Sequence, residues 1–457
     1  MIAFSDSRVI CMIYLIIELT IAITLAICMP PMMNPDEIAH FSRADQISRG
    51  HIIGQRFDAR TAGGEIAVGI GSVNWAMRNV PMHPAVKVTR EMISEANAAH
   101  WTDGVTRGGF ANSVVYPPGF YIPSAIGIKI GKALNLRVTD TLYISRTLSA
   151  VAAVVGGALA IFVSGTAAPW IFTILTLPTA LSQSATSGQE VLLNATAAFA
   201  CACVARLVTE RDGKLTTFYA GSIALLLVIA ARPPLIPLAL MLPAIPRVLW
   251  RHRVIGLAIV IVGTAGWMTS SAPAYIHPRI GMDSTINPDD FGTVKQLHYI
   301  ITHPLGFCFT LVNTTREFGP SFYKALIGVL GWYDVFVPRW YILAASINMT
   351  LAFAASISKR DGPWSPAATA AGVAVIGCFV AVLTAQYLAW TPIGLDVILG
   401  VQGRYFVAPV LFVVILCPSL MLPRAVRSTF TATSVGFAAI VTVPLTCLLI
   451  VKRYYLA

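Results

Sequence analysis

VICMIYLIIELTIAITLAICMPPMMNPDEIAHFSR, residues 9–43, joins an apolar run to an acidic pair that follows it closely. A transmembrane helix needs about 20 apolar residues, and residues 9–29 supply that length. Asp36 and Glu37 therefore come next to the membrane surface, where a carboxylate can act as a base, bind a cation or cap a helix. The structural alternative is that Asn34 or Asp36 only begins a short surface helix.

The composition excludes a soluble globular protein. Of 457 residues, 56% are hydrophobic and 12% are charged, which is typical of a chain built for lipid. The net charge of +11 comes from Lys and Arg that interrupt apolar runs and form no basic stripe, so no nucleic-acid partner is expected. The eight cysteines contain no CxxC pair and predict neither a disulfide framework nor a zinc site. We therefore predict an all-α polytopic membrane protein with a retained N-terminal signal anchor.

Hydropathy and loop charge predict the topology. Apolar runs predict about 11 transmembrane helices in a single domain, residues 1–457. Residues 116–134 hold three prolines and two lysines. We expect this segment to be interfacial or re-entrant, because the later basic clusters then all fall on the cytoplasmic side. Those clusters are Arg206, Arg211 and Lys214; Arg247, Arg251 and Arg253; Lys359 and Arg360; Arg424 and Arg427.

The predicted organisation is a first transmembrane helix at 9–29, a first outer loop at 30–141, transmembrane helices over 142–271, a second outer loop at 272–339 and C-terminal transmembrane helices over 340–451. The first loop is far longer than an ordinary connection, which favours a functional role. The individual spans are predicted at 9–29, 142–163, 170–181, 191–207, 218–231, 235–249, 255–271, 340–356, 367–387, 405–422 and 431–451.

Polar residues inside or beside a membrane span are costly, so they indicate function. In this topology a set of them shares the outer face, and the cytoplasmic loops hold no comparable set. Chemistry on the outer face has no access to cytoplasmic nucleotide donors, so a donor has to arrive attached to a lipid. The candidate catalytic residues are Asp36 and Glu37, and the candidate substrate-binding residues are His40, Arg43, Tyr116, Glu190, Arg232, Trp332, Asp334, Gln402, Arg404 and Tyr405.

Several of these candidates also have simpler interpretations. Arg404 suits a phosphate, since Gly403 beside it permits close approach, or it extends as an interface arginine toward water. Arg232 has the same ambiguity in a proline-rich turn. Glu190 is also favourable at a helix N-terminus, and Trp332 fits an aromatic belt as well as a sugar-stacking site. No pair of histidines has the HxxxH spacing of a zinc helix.

PDEIAHFSRADQISRG, residues 35–50, resembles the Pro-Asp-Glu, His, Arg and Gly signature of a bacterial family of multi-pass membrane proteins labelled domain of unknown function 2142. The resemblance extends in order along nearly the whole chain. Glu190 stands where the family pattern leads us to expect an aspartate. The further matches are YPPGFYIPSAIG (116–127), RTLSAVAAVVGG (146–157), LPTALSQSATSGQE (177–190), QLHYIITHPLGF (296–307), GVLGWYDVFVP (328–338) and VQGRYFVAP (401–409).

That family is similar to the GT-C superfamily of membrane glycosyltransferases, which includes protein mannosyltransferases and arabinose transferases that act on lipid A. The resemblance implies a GT-C-like fold whose first outer loop contains interfacial helices. It implies a polyprenyl-phosphate sugar donor and a cell-surface glycan or lipid acceptor. It also implies a location in the bacterial cytoplasmic membrane, with the active site facing the periplasm or outside.

The resemblance also assigns roles. Asp36 is implied as the general base of an inverting transfer, with Glu37 as its helper or substitute and Glu190 near a second acidic position that binds acceptor or a cation. Arg404, with Arg232 and His40, is expected to stabilise the departing lipid phosphate. The sequence assigns no cofactor, and a divalent cation held by carboxylate oxygens stays an open option.

Two other functional classes stay open. A transporter or flippase for a lipid-linked saccharide usually has repeated halves and charged or broken helices near the bilayer midplane, and we identify neither in the sequence. A non-catalytic subunit of envelope polysaccharide assembly has no need of Asp36 or Glu37.

Overall fold

The computed structural model describes residues 6–184, 186–209, 214–282, 287, 290–357, 366–417 and 422–456. These residues are mostly helical. In chain order the α-helices are α1 (Ser7–Cys28), α2 (Glu37–Ser48), α3 (Val68–Ala76), α4 (Arg90–Asn97), α5 (Ile122–Ala133), α6 (Val138–Val163), α7 (Ala168–Leu175), α8 (Pro178–Gln183), α9 (Glu190–Thr209), α10 (Leu215–Ala231), α11 (Trp250–Ser271), α12 (Pro278–Met282), α13 (Thr293–Thr302), α14 (Pro304–Gly328), α15 (Arg339–Ala355), α16 (Pro366–Trp390), α17 (Val407–Leu411), α18 (Arg424–Phe437) and α19 (Val443–Tyr454). Short 3-10 helices cover Pro118–Tyr121, Gly165–Ala167, Pro233–Met241, Ala272–Ala274, Gly403–Phe406 and Phe412–Leu416, and a π-helical turn, Ala438–Thr442, joins α18 to α19.

The helices confirm a polytopic membrane protein and leave the number of crossings open. Six helical segments in the described residues are long and apolar enough to cross a membrane, and three shorter apolar segments accompany them. Each predicted span coincides wholly or partly with helical residues. The end of the predicted span 405–422 and the basic residues Arg211, Lys359 and Arg360 lie outside the described residues.

Prolines change the form of two predicted spans. The helix expected over 170–181 is broken at Leu177, whose extended backbone (ψ 145°) precedes Pro178, because proline disfavours a helical residue before it and lacks an N–H donor. The helix expected over 235–249 is instead a 3-10 helix, Pro233–Met241, with three prolines. Single α-helices at these two places are therefore wrong predictions.

Both predicted outer loops contain regular structure. The first loop holds α2 to α5 and a three-stranded antiparallel sheet in the order β1, β2, β3, and a second sheet pairs β4 with β5. The prediction of an all-α fold missed these sheets. The prediction of a second outer loop missed α14, which is 25 residues long. The strands are β1 (Gln55–Arg56), β2 (Ala62–Ala67), β3 (Val105–Gly109), β4 (Val329–Leu330) and β5 (Val335–Phe336).

Helix α6 lies at the centre of the helix packing, against α1, α5 and α9. Small residues on α6 let its neighbours approach closely, as is usual between membrane helices. At Gly157 an added Cβ would lie 2.5 Å from the Tyr14 hydroxyl of α1. Helix α5 also packs against α2, which fixes the first loop against the helix bundle.

The first residues of α10, α11 and α18 place a basic cluster at one end of the helix bundle. Arg146, near the start of α6, donates to the Met29 carbonyl beyond the end of α1 at 2.6 Å, so these helix ends meet. At the other end, Arg206 of α9 donates to the Val163 carbonyl of α6 at 3.4 Å. Which end faces the outside stays a prediction. The end of the bundle with Arg206 also receives the first residues of α10, α11 and α18, where Lys214, Arg251, Arg253, Arg424 and Arg427 lie.

Candidate functional site

Asp36 occupies the position before α2 without capping it. Its backbone is left-handed (φ 59°), and its side chain makes no hydrogen bond to the helix N-terminus. Its Oδ2 instead accepts from Nη2 of Arg404 at 3.1 Å, and its Oδ1 accepts from the amide of Asn112 at 3.1 Å. The carboxylate side chain is 25% exposed. Asp36 is thus a partly open carboxylate held in an uncommon backbone conformation, which is a feature typical of functional sites.

Glu37, the next residue, is fully enclosed. Its Oε1 and Oε2 accept from Nε and Nη2 of Arg146 at 2.8 and 2.5 Å, in the two-pronged geometry that favours arginine and carboxylate. The remaining Nη1 of Arg146 donates to the Met29 carbonyl. The Ser187 N–H also donates to Glu37 Oε1 at 3.3 Å. Glu37 therefore ties α1, α2, α6 and the segment before α9 together and has no exposed surface.

A second carboxylate and arginine pair lies beside the first. Glu190, the first residue of α9, accepts a hydrogen bond from Arg232, which follows α10. The Tyr405 ring lies next to both cations, with its centroid 4.6 Å from the Arg232 guanidinium carbon and 5.7 Å from that of Arg404. Arg404 is buried, and its Nε–H has no partner among the residues that the structure describes. The interpretation of Arg404 as an interface arginine extending into water does not fit its burial, and the arginine keeps a donor for a ligand.

A small cavity of about 20 Å³ adjoins these pairs. His40 forms part of its wall, and its Nδ1 lies 2.7 Å from the Tyr121 hydroxyl. Burial lowers the pKa of His40, although the carboxylate of Asp36 nearby acts in the opposite direction. The imidazole is therefore neutral in the folded protein near neutral pH. The lining residues are Asn34, Pro35, His40, Thr179, Ser182, Gln183, Thr186, Gly188, Glu190, Ala325, Val329, Gly331, Tyr333 and Arg404.

Tyr116 and Gln402 support this cavity from its surroundings. The Tyr116 ring stacks on His40 with centroids 6.2 Å apart. Gln402 accepts a hydrogen bond from the hydroxyl of Tyr333, and the Tyr333 ring centroid lies 5.3 Å from the guanidinium carbon of Arg404. Tyr116 and Gln402 therefore contact His40 and Tyr333, which line the cavity.

Arg43 makes contacts of a structural kind. Arg43 donates to Gln46 and to the carbonyls of Ile52 and Tyr116, the latter two at 2.6 and 3.0 Å. Burial lowers its pKa to about 10. The guanidinium closes the first loop onto α2, and it is not part of the cavity lining.

Trp332 and Asp334 also lie outside the cavity lining. The indole N–H of Trp332 donates to the Met32 carbonyl at 3.0 Å. Asp334 Oδ2 accepts from Nε and Nη2 of Arg453, at the end of α19, at 2.8 and 2.6 Å. Because Arg453 also donates to carbonyls of the first loop, these contacts connect the chain's C-terminal helix to that loop.

An apolar groove is lined in part by Tyr116 and by Pro233, the residue that follows Arg232. The indole N–H of Trp267, in its wall, donates to the Val115 carbonyl at 2.9 Å. A second apolar groove runs along α16 and shares Pro233 with the first. Both grooves suit a hydrocarbon chain. The first is lined by Val115, Tyr116, Ala230, Ala231, Pro233, Trp267, Met268, Ser271, Ala272 and Tyr275.

The site does not suit a divalent cation. Within the described ranges, no three His, Cys, Asp or Glu side chains come together as metal ligands. Asp36 and Glu190 are each paired with an arginine, and a Mg²⁺ or Ca²⁺ ion requires carboxylates free to coordinate it. We derive no step through a metal.

The sequence analysis missed several residues that the structure makes important. In the sequence Arg146 only begins a family motif and Arg453 follows the last apolar run, yet both close buried ion pairs. Glu18 was missed inside the first apolar run, where it is 3% exposed. A charged residue inside a membrane span is a signal that was available for Arg146 and Glu18. For Asn112 no sequence signal was available.

The fold and site define a polytopic helical membrane protein with a polar cavity where its helix ends meet a long loop. The family model described as "Predicted membrane protein (DUF2142)" matches residues 19–414. The chain belongs to that family, which confirms the family resemblance of its sequence.

Comparisons with curated proteins and with solved structures assign no function to the chain. No curated protein matches the chain. The chain is similar to the crystal structure of ArnT from Cupriavidus metallidurans bound to undecaprenyl phosphate, with 12% sequence identity, a TM-score of 0.39, and coverage of 96% of this chain and 74% of that one. A similarity of that size assigns neither fold nor function, so the proposal below depends on the site itself.

Proposed function

We propose that this chain is an integral membrane glycosyltransferase of the bacterial cytoplasmic membrane. It transfers a sugar from a polyprenyl-phosphate-linked donor to a hydroxyl of a cell-surface glycan or lipid, at the outer face. The observation that carries the proposal is the pair of Asp36 and Arg404. A partly exposed carboxylate contacts a buried guanidinium that has an unused donor, and this guanidinium lines the polar cavity.

Asp36 is the proposed general base. In an inverting transfer the acceptor oxygen bonds to the anomeric carbon as the bond from that carbon to the lipid phosphate breaks, and the acceptor proton passes to the base. Asp36 has the exposure this role requires. A positioned base of this kind contributes about 10²- to 10⁴-fold in rate.

Arg404 and Arg232 are the proposed phosphate ligands. Two guanidiniums close to the Tyr405 ring match the charge and the fork geometry of a leaving phosphate. The phosphate then competes with Asp36 for Arg404. Binding of the donor therefore weakens the ion pair and leaves the Asp36 carboxylate available to take the acceptor proton.

The cavity and the grooves provide for the rest of the substrates. Hydroxyl, amide and carboxylate groups of the lining, among them Ser182, Gln183 and Glu190, suit the hydroxyls of a sugar. The apolar groove beside Tyr116 suits the first prenyl units of the donor. The donor thus lies with its phosphate near Arg232, where the polar and apolar regions meet.

Glu37 receives a different role from the one expected of it. Both of its oxygens already bind Arg146, so we propose that it holds α2 against α6 and the segment before α9 and does not itself take a proton. Trp332, Asp334 and Arg43 likewise hold the first loop in place through the contacts described above.

A transporter or flippase for a lipid-linked saccharide is the second candidate. Two observations favour it: the helix break between Gln183 and Glu190, and the buried carboxyl group of Glu18 in α1. Broken helices and intramembrane acids are typical of transporters. Neither observation explains the exposed carboxylate of Asp36 beside Arg404.

The test is sugar transfer in membranes from a host that lacks the protein, supplied with the wild-type chain, Asp36→Asn or Glu95→Gln at matched expression. Glu95 is an exposed carboxylate of the first loop and serves as the control. We expect transfer from the polyprenyl-phosphate pool to return with the wild type and Glu95→Gln and to fail with Asp36→Asn. Full transfer by Asp36→Asn, when loss of the whole protein abolishes it, would leave the transporter or the non-catalytic subunit.

A further inference from the structure

A second cavity lies inside the helix bundle, away from the proposed active site. Its wall comes from α1, α6, α7, α8, α9 and Ser184, and it has room for a single water-sized particle. Glu18 of α1 contributes a carboxyl group to this wall. The side chain is 3% exposed, and its Oε2 has no hydrogen-bond partner.

No positive side chain lines this cavity. Its full lining is Tyr14, Glu18, Ala153, Val154, Leu175, Ala180, Ser184, Val191, Asn194 and Ala195. An ionised carboxylate in such a place is very costly unless a cation balances it. The intraprotein ion pairs of this chain have arginine or lysine partners, and Glu18 has none among the described residues.

The other polar groups of the wall are neutral oxygen donors. Asn194 uses its amide hydrogen for Gln183 Oε1 at 2.7 Å, which leaves its amide oxygen as an acceptor. The Ser184 hydroxyl donates to the Leu181 carbonyl at 2.6 Å, which leaves its oxygen lone pairs. Tyr14 adds a phenol oxygen. One carboxylate with neutral oxygens balances one positive charge and leaves a divalent ion half compensated.

We propose that this cavity binds a single Na⁺ ion through the Glu18 carboxylate, with oxygens of Tyr14, Ser184 and Asn194 completing its coordination. The ion neutralises Glu18 in the membrane interior. The site adjoins a break in helical structure between α8 and α9, and unwound segments of this kind supply Na⁺ ligands in membrane proteins. Because Asn194 bonds to Gln183, which lines the polar cavity, the ion also supports the wall between the two cavities.

The proposal does not depend on glycosyl transfer, because its readout is binding. The experiment uses the purified full-length protein in detergent with ²²Na⁺ and measures bound ion at equilibrium. We expect saturable binding of one ion per chain in the wild type and in Glu95→Gln. Binding should fall to background in Glu18→Gln, which keeps the side-chain shape and removes the charge.

Thermal unfolding gives an independent readout that also reveals misfolding. A ligand that binds only the folded state raises the Tm with its concentration. We expect Na⁺ to raise the Tm of the wild type relative to N-methyl-D-glucamine at equal ionic strength, and we expect Glu18→Gln to unfold cooperatively with no response to Na⁺. Equal Tm values of the wild type in the two cations, or no bound ²²Na⁺, would overturn the proposal in favour of a protonated Glu18 beside a water molecule.

Discussion

Asp36 and Glu37 are neighbours in the chain, yet their surroundings are opposite. Asp36 is 25% exposed and makes one contact with Arg404 at 3.1 Å. Glu37 has no exposed surface, and both of its oxygens bind Arg146 at 2.8 and 2.5 Å. The left-handed backbone at Asp36 marks the point at which the chain enters α2. Of two adjacent carboxylates, one can thus be available to a substrate while the other supports the fold.

The comparison extends to the other ion pairs. Arg453 with Asp334 resembles the enclosed pair of Glu37, since its guanidinium also binds backbone carbonyls. Arg232 with Glu190 resembles the open pair of Asp36, since it adjoins the cavity. Arg146 and Arg453 bind both a carboxylate and backbone carbonyls and support the fold, whereas Arg404 lines the cavity and keeps an unused donor for a ligand.

The largest expected effect is the loss of activity when Asp36, and not its neighbour Glu37, is changed. Asp36→Asn keeps an oxygen for Arg404 and removes the base, so turnover should fall about 10²- to 10⁴-fold. The measurement is sugar transferred per folded molecule, with folded protein counted by size-exclusion chromatography. A loss of less than tenfold would show that another group takes the proton.

The next effect concerns stability. Glu37→Gln breaks a buried pair and leaves Arg146 uncompensated, which costs about 3–5 kcal/mol of unfolding free energy. We expect a lower Tm and less folded protein, with turnover per folded molecule largely kept. Glu95→Gln is the control that should leave the Tm unchanged. A Glu37→Gln protein as stable as the wild type would contradict the structural role.

Arg404→Lys tests the proposed phosphate contact. Lysine keeps the charge and loses the fork that binds two phosphate oxygens, so kcat/KM for the lipid-linked donor should fall about 10- to 100-fold. The matched control is Arg251→Lys, an exposed cation at the opposite end of the bundle. An unchanged kcat/KM would show that Arg404 does not bind the donor phosphate.

The smallest expected effect is a pH dependence from His40. Its pKa is lowered by burial from 6.5, so the folded state binds fewer protons than the unfolded state just below that pH. Its stabilising contribution is therefore complete above about pH 6.5 and is lost as the pH falls towards the folded pKa. His40→Gln should flatten this part of a Tm profile. If the Tm of His40→Gln fell between about pH 7 and 5 as steeply as the Tm of the wild type, this interpretation of His40 would be wrong.

The sequence was sufficient for the membrane class, the family and three residues of the cavity lining, His40, Glu190 and Arg404, because apolar runs and costly polar residues are visible in one dimension. The sequence did not show which acidic residue forms an ion pair with which arginine. Asp36 meets Arg404 across 368 residues and Glu37 meets Arg146 across 109, and no local pattern distinguishes these partners. The sheets of the first loop were missed because their strands are short and glycine-rich, with little alternation.

The most direct test measures Asp36→Asn and Glu37→Gln side by side. Both proteins would receive the same polyprenyl-phosphate donor preparation, and sugar transfer would be expressed per folded molecule. The account predicts that Asp36→Asn is folded and nearly inactive, while Glu37→Gln is poorly folded and its folded fraction is active. Comparable activity per folded molecule in the two variants, or an inactive folded fraction of Glu37→Gln beside an active Asp36→Asn, would contradict it.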